Sequence, residues 1–185
     1  MGRTRTRFLA VAALAFLCPP PAARAQKAAA KVPAVNLFED ATDVPVQIRK
    51  AIEGRVMISE LHLYDTYVKM QIQDPKRKEN LDEYTYRDGK MDEGIPVKIS
   101  GDYTQEDLDG SMFPLESVDF RLVPTMIQDA KTRLKMPDGQ PGSLSIKRGW
   151  PFHNEVRWMV SIKDARHMGF VEYDLKGRKK EVHKE

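Results

Sequence analysis

The sequence contains almost no cysteine: Cys18 is the only one in the 185-residue chain. It falls in a segment that we predict to be removed, for reasons given below, so the remaining protein has no thiol. Thiol catalysis and thiolate metal sites are therefore excluded for that protein. An exported domain without disulfides must be stabilised by its hydrophobic core alone, and about 150 ordered residues are enough for this.

The motifs of several common enzyme classes are also missing. There is no Gly-x-Ser-x-Gly, no phosphate-binding glycine loop and no His-Glu-x-x-His. The histidines are scattered, without a pair at the helical spacing of a metal site; they are His62, His153, His167 and His183. The sequence therefore predicts no catalytic residue, no metal ligand and no cofactor. Paired carboxylates need no local spacing, so a carboxylate-dependent hydrolase stays open as an alternative.

The one apolar stretch near the start of the chain is too short to cross a membrane. Phe8 to Leu17 is apolar for about ten residues, half the length that a bilayer requires. The flanking residues are Arg3, Arg5 and Arg7 before it, then Pro19, Pro20, Pro21 and Ala23-Arg24-Ala25 after it. This order is typical of a secretory signal peptide. We predict a signal peptide over residues 1–25, cleavage before Gln26, and a periplasmic or secreted protein without a transmembrane segment.

Two other export routes fit the same segment less well. Cys18 would be the acylated residue of a lipoprotein, but the residue directly before such a cysteine is normally small, and here it is Leu17. A twin-arginine signal needs adjacent arginines, whereas threonines separate Arg3, Arg5 and Arg7.

Removal of the signal peptide also changes the charge of the protein. The full chain carries 30 Lys and Arg against 27 Asp and Glu, a formal charge of +3. Arg3, Arg5, Arg7 and Arg24 leave with residues 1–25 and no acidic residue does, so 26 cations face 27 anions and the net charge becomes −1. The basic character therefore belongs to the targeting segment, and we predict no nucleic-acid partner.

The apolar pattern predicts an α+β protein of two units, each a helix followed by an antiparallel β-meander. After a flexible leader over residues 26–36, the first unit spans 37–100 and opens with a helix that has Asp43 as its cap and Pro45 in its first turn. The second unit spans 118–185, with Pro124 opening its helix. Strands are expected at Leu81 to Arg87 and Val156 to Lys163, among others.

Two segments outside the apolar pattern carry charge of one sign. Residues 101–117 hold five acidic residues and no Lys or Arg, and we predict an acidic linker there. The C-terminal residues Lys176, Arg178, Lys179, Lys180 and Lys184 form a basic last strand or tail. Such a tail is usually solvated; a weak contact with anionic membrane surfaces is its alternative role.

The two units echo each other in sequence. Met70-Gln71-Ile72-Gln73-Asp74 aligns with Val160-Ser161-Ile162-Lys163-Asp164, and Tyr86-Arg87-Asp88-Gly89-Lys90 with Tyr173-Asp174-Leu175-Lys176-Gly177-Arg178. An internal duplication explains this, and so does the strand-turn pattern that any two meanders share.

A helix followed by a meander with these tyrosine strands and glycine turns resembles PepSY and PepSY-like exported domains. The resemblance covers most of Pro45 to Lys180, in two copies. It implies a non-catalytic envelope or secreted module, some members of which are thought to inhibit or regulate peptidases. The family has no catalytic residues to transfer to this chain.

The acidic linker contains a degenerate calcium loop. Gln105 to Glu116 has the length of an EF-hand loop, with Asp107 and Asp109 at its third and fifth places and Glu116 at its twelfth. Gln105 stands where the first aspartate belongs, and Pro114 stiffens the exit. We predict a solvated linker, with calcium binding as the alternative.

The predicted binding site is an aromatic turn flanked by cations. It consists of Arg148, Trp150, Phe152, His153 and Arg157. Tryptophan and arginine dominate protein-protein hot spots, although the aromatic rings of such turns also cap sheet edges. The sequence therefore predicts an exported non-enzymatic binding or regulatory module of a bacterial-type cell envelope, whose partner is an envelope or secreted protein. The alternative is a hydrolase acting on cell-wall or extracellular polymer.

Overall fold

A computed structural model describes residues 35–99, 104–148 and 155–184. The predicted signal peptide and residues 26–34 of the predicted leader lie outside these residues. Within the described part, the chain is an α+β protein with three α-helices and one large antiparallel sheet. None of the helices in this part is long and apolar enough to span a membrane.

The helices are α1 (Val44–Ala51), α2 (Gln105–Ser111) and α3 (Val123–Leu134). The strands are β1 (Met57–Leu63), β2 (Tyr67–Gln73), β3 (Leu81–Arg87), β4 (Lys90–Met91), β5 (Ile95–Pro96), β6 (Phe113–Pro114), β7 (Gln140–Arg148), β8 (Val156–Lys163), β9 (Met168–Asp174) and β10 (Lys179–Lys184). Two short 3-10 turns, Leu115–Ser117 and Phe120–Leu122, lead into α3.

All ten strands belong to one sheet. Its main order is β10-β9-β8-β7-β1-β2-β3-β4, while β5 pairs with β3 and β6 with β1. The centre of the sheet is the antiparallel pairing of β1 with β7, in which Leu61 faces Ile146 and Leu63 faces Leu144. Strands from the two predicted units are therefore hydrogen-bonded into a continuous sheet.

The strands form because apolar and polar residues alternate along them. In β8, Trp158, Val160 and Ile162 are fully buried, whereas the residues between them are only half-buried. These three side chains and their neighbours across the sheet point to one face, which we call the core face. The predicted strands Leu81 to Arg87 and Val156 to Lys163 are confirmed with the predicted bounds.

The helices α1 and α3 supply the apolar cover of the core face. Helix α1 buries Val44 and Ile48, and α3 buries Met126, Ile127 and Ala130, which recur at helical spacing. The aromatic ring of Phe120 lies edge-on to the ring of Trp158, with centroids 6.1 Å apart. These side chains form one continuous hydrophobic cluster.

Two buried tyrosines tie the helices to the sheet. The Tyr173 hydroxyl in β9 donates to Asp129 Oδ2 of α3 at 2.9 Å, and the Tyr86 hydroxyl in β3 donates to Asp43 Oδ2 at 3.2 Å. Burial and the nearby carboxylate raise the pKa of both hydroxyls, to about 12 for Tyr86, so both remain donors. Asp43 occupies the predicted N-cap position of α1, but its side chain makes no cap hydrogen bond.

The predicted acidic linker contains regular structure. Residues Gln105–Ser111 form α2, which starts with a capping box: Thr104 and Asp107 each accept from the other's backbone N–H. Leu108 and Met112 pack with Leu81 of β3 in a small second cluster. The prediction of an irregular acidic linker missed this helix, because the acidic composition masked the capping box and two apolar residues at helical spacing.

Candidate functional site

The sheet has a second face that α1 and α3 do not cover. Helix α2 packs over its end near Leu81, and no helix of the described residues packs over the part formed by β10, β9, β8, β7 and β1. We call this part the open face. Its side chains are Glu181 and His183 of β10, Phe170 and Glu172 of β9, Arg157, Met159 and Ser161 of β8, Ser145 and Lys147 of β7, and Glu60 and His62 of β1.

Arg157 is the centre of a charge network on the open face. Its Nη1 donates to Glu172 Oε2 at 2.8 Å and to Glu181 Oε1 at 3.2 Å, and its Nη2 lies 3.5 Å from Glu155 Oε2. Only 13% of the Arg157 side chain is exposed. The hydrogen bond to Glu172 and the other glutamates raise the pKa of Arg157 against the effect of burial, so the guanidinium stays charged.

His183 adjoins this network. Its ring stacks on Phe170, with centroids 4.3 Å apart and planes 18° apart. Its Nε2 lies 3.4 Å from Glu181 Oε2 and 3.7 Å from Glu172 Oε1. Each of Glu172, Glu181 and His183 offers a ligand atom within 4.8 Å of the others, so these are residues that could hold a metal ion.

The same glutamates bear on the hydrolase alternative. Glu172 and Glu181 place carboxylate oxygens within 4.8 Å of each other, and glycosidases also use a pair of neighbouring carboxylates. However, Nη1 of Arg157 is hydrogen-bonded to both, in the place where a hydrolase would hold the bond to be cleaved. Two surface grooves of about 410 and 430 Å³ lie elsewhere and are lined by other residues. This geometry disfavours hydrolysis at the glutamate pair.

The structure separates the predicted site residues that it describes. Arg148 of β7 pairs with Val156 of β8, and Val156 packs on the core. Nη2 of Arg148 donates to the Met112 carbonyl at 3.2 Å. Arg157 pairs with Lys147 and lies on the open face. Because adjacent positions of a strand point to opposite faces, the two arginines do not form one patch. Trp150, Phe152 and His153 lie outside the described residues.

The segment that matches a calcium loop is not arranged as one. Its first seven residues are helical, and Asp107 caps the helix through Thr104. Asp109 accepts from Gln73 Nε2 at 3.1 Å and from Gln105 Nε2 at 2.9 Å. The two aspartates therefore bond to protein donors and do not converge as EF-hand ligands do.

The grouping of Glu172, Glu181 and His183 was missed by sequence reasoning. These residues come from two paired strands, so they do not show the helical histidine spacing of a metal site. Glu181 and His183 are two positions apart on a strand and therefore share a face. The spacing of two residues between Glu181 and His183 was therefore the signal in the sequence for this group. It lies in the basic tail that the sequence analysis interpreted as solvated.

Comparisons of this chain with protein-family models, with curated proteins and with solved structures found no match.

We predict that Arg157→Met destabilises the protein by about 2 kcal/mol, because it removes two hydrogen bonds to charged partners and leaves Glu172 close to Glu181. Arg121→Met is the matched control: Arg121 is 78% exposed and pairs with Asp119 in a surface salt bridge, so its loss should leave the stability nearly unchanged. Urea denaturation measures both. Equal, small changes in the two variants would contradict the central role of Arg157.

Proposed function

We propose that this protein is an exported, non-enzymatic binding or regulatory module of a bacterial-type cell envelope, and that it binds an envelope or secreted protein through the open face. The observation that carries the proposal is this face, which presents charged and aromatic side chains on a sheet backed by two helices. A rigid backing lowers the entropic cost of binding.

The composition of the open face favours a protein partner. Arg157 and Phe170 are of the residue types enriched at protein interfaces, and charges of both signs lie around them. The predicted aromatic turn, with Trp150 and Phe152, directly precedes β8 in sequence, and Arg157 is the second residue of that strand. We therefore propose that the turn and the open face contribute to one contact surface.

We further propose that the fold is an internal duplication of a PepSY-like unit. The strand order is symmetric about the β1–β7 pair, with three main strands on either side of it, and α1 and α3 both have a proline in the first turn. Tyr86 and Tyr173, which align in sequence, each donate a hydrogen bond to an aspartate, Asp43 at the start of α1 and Asp129 in α3. These features support two helix-then-meander units.

The turns after the aligned strands β2 and β8 support the same proposal. Asp74 Oδ1 accepts from the backbone N–H groups of Lys76 and Arg77. Asp164 Oδ1 accepts from those of Arg166 and His167, at the same offsets of two and three residues. Asp74 and Asp164 are also the residues that the sequence alignment of the two units pairs.

Export is proposed from the sequence of residues 1–25. In the full chain expressed in a bacterial host, we expect the periplasmic fraction to contain a form whose N-terminus is Gln26, as read by N-terminal sequencing. Arg24→Gln leaves the small residues of the cleavage site intact and serves as a control that should be processed equally. A cytosolic protein that starts at Met1 would contradict export, and a lipidated Cys18 would support the lipoprotein alternative.

Binding is tested by charge reversal on opposite sides of the molecule. Lys147 and Lys50 are both exposed, the first on the open face and the second on α1. We predict that the immobilised exported protein captures a specific envelope protein. Lys147→Glu and Trp150→Ala should weaken the affinity for that protein about tenfold, whereas Lys50→Glu should leave it unchanged.

Melting temperatures of all three variants serve as the folding control for this experiment. Equal capture by Lys147→Glu and Lys50→Glu would contradict binding through the open face. Release of soluble sugars or peptides from cell-wall polymer by the wild-type protein would favour the hydrolase instead.

A further inference from the structure

Three potential ligands converge on the open face of the β9–β10 hairpin. Glu181 and His183 lie two positions apart on β10 and share a face, and His183 pairs directly with Phe170 of the antiparallel strand β9. Glu172, two positions after Phe170, completes the group from that strand. The three side chains therefore come from two paired strands, whose register shifts between Lys179 and Val182.

Arg157 and His183 lie against different oxygens of the two carboxylates. Arg157 Nη1 bonds to Glu172 Oε2 and Glu181 Oε1, whereas the other oxygen of each carboxylate faces His183. From His183 Nε2 the distances are 3.7 Å to Glu172 Oε1 and 3.4 Å to Glu181 Oε2. In a tetrahedral zinc site with bonds of about 2.0–2.1 Å, ligand atoms are about 3.4 Å from one another. The spacing around His183 matches this value closely.

Nε2 of His183 is held toward Glu172 Oε1 and Glu181 Oε2 and makes no hydrogen bond. His183 Nε2 is shielded from solvent, although it lies near two carboxylate oxygens. Buried polar atoms nearly always have a partner. The stacked ring of Phe170 restricts the imidazole plane, so Nε2 keeps this direction.

The surrounding charges favour a bound cation. Three glutamates, Glu155, Glu172 and Glu181, surround the single guanidinium of Arg157, and Lys180 pairs with Glu155 at 3.4 Å. Arg157 orients both carboxylates through their far oxygens, in the way that outer-shell partners orient metal ligands.

We propose that Glu172 Oε1, Glu181 Oε2 and His183 Nε2 bind a divalent transition-metal ion. One imidazole nitrogen with two carboxylate oxygens is a ligand set that suits Zn²⁺. Zn²⁺ sites are usually four-coordinate, so water supplies the remaining ligand. The metal links β9 to the edge strand β10. This site does not depend on the proposed partner binding.

The test uses the full exported protein, stripped with EDTA, and Zn²⁺ alone as the probe. Isothermal titration is expected to show one site. His183→Phe keeps an aromatic ring beside Phe170 and should weaken binding at least tenfold. His62→Phe is the matched control, because His62 lies on the same face beside a single carboxylate, Glu60, at 2.7 Å. It should leave the affinity unchanged.

A second measurement separates metal binding from a structural role of His183. Zn²⁺ is expected to raise the melting temperature of the wild-type protein and of His62→Phe, but not that of His183→Phe. If His183→Phe fails to fold, Glu172→Gln, which keeps the side-chain shape, replaces it and should also bind at least tenfold more weakly. A wild-type protein that binds no Zn²⁺, or binding that neither variant weakens, would overturn the proposal and leave His183 as an ion-pair partner of the glutamates.

Discussion

The antiparallel pairing of β1 with β7 is the constraint on which the rest of the structure depends. Leu61, Leu63, Leu144 and Ile146 face one another across this pair, and all four are fully buried. Because side chains alternate along a strand, a register shift of one residue would turn these leucines and the isoleucine to the open face. Fixing this register aligns the core faces of the strands on both sides of the pair, so that α1 and α3 cover a single continuous hydrophobic surface.

The same pairing accounts for the open face. Once both helices lie on the core face, the polar positions of five adjacent strands are brought together on the other side. The charges there neutralise one another locally: Arg157 bonds to glutamates of two strands, and His183 is stacked beside them. Holding long charged side chains in one geometry costs conformational entropy. The network lowers this cost for each ion pair, because one guanidinium binds several carboxylates. The result is an ordered polar surface, which we propose binds a protein partner and holds a metal ion.

Much of the fold could be predicted from local sequence, because alternation and proline placement are local signals. The bounds of β3 and β8 and the proline-opened helices were predicted in this way. The pairing of β1 with β7 could not be predicted, because residues some 80 positions apart pair there. Many registers would also satisfy the alternation of apolar and polar residues in the two strands. Arg148 and Arg157 were grouped by proximity in sequence and lie on opposite faces. Glu172 and His183 are brought together only by the β9–β10 register.

Hydrogen exchange of the backbone amides in β1 and β7 tests the central pairing most directly. If this pair joins the whole sheet, its amides exchange only through global unfolding, with the same free energy as the central amides of β2 and β8 on either side. The amides of the strands on both sides of the β1–β7 pair then lose protection together as urea is added. The account would be contradicted if the β1 and β7 amides exchanged through a local opening while β2 and β8 remained protected and unfolded at different urea concentrations.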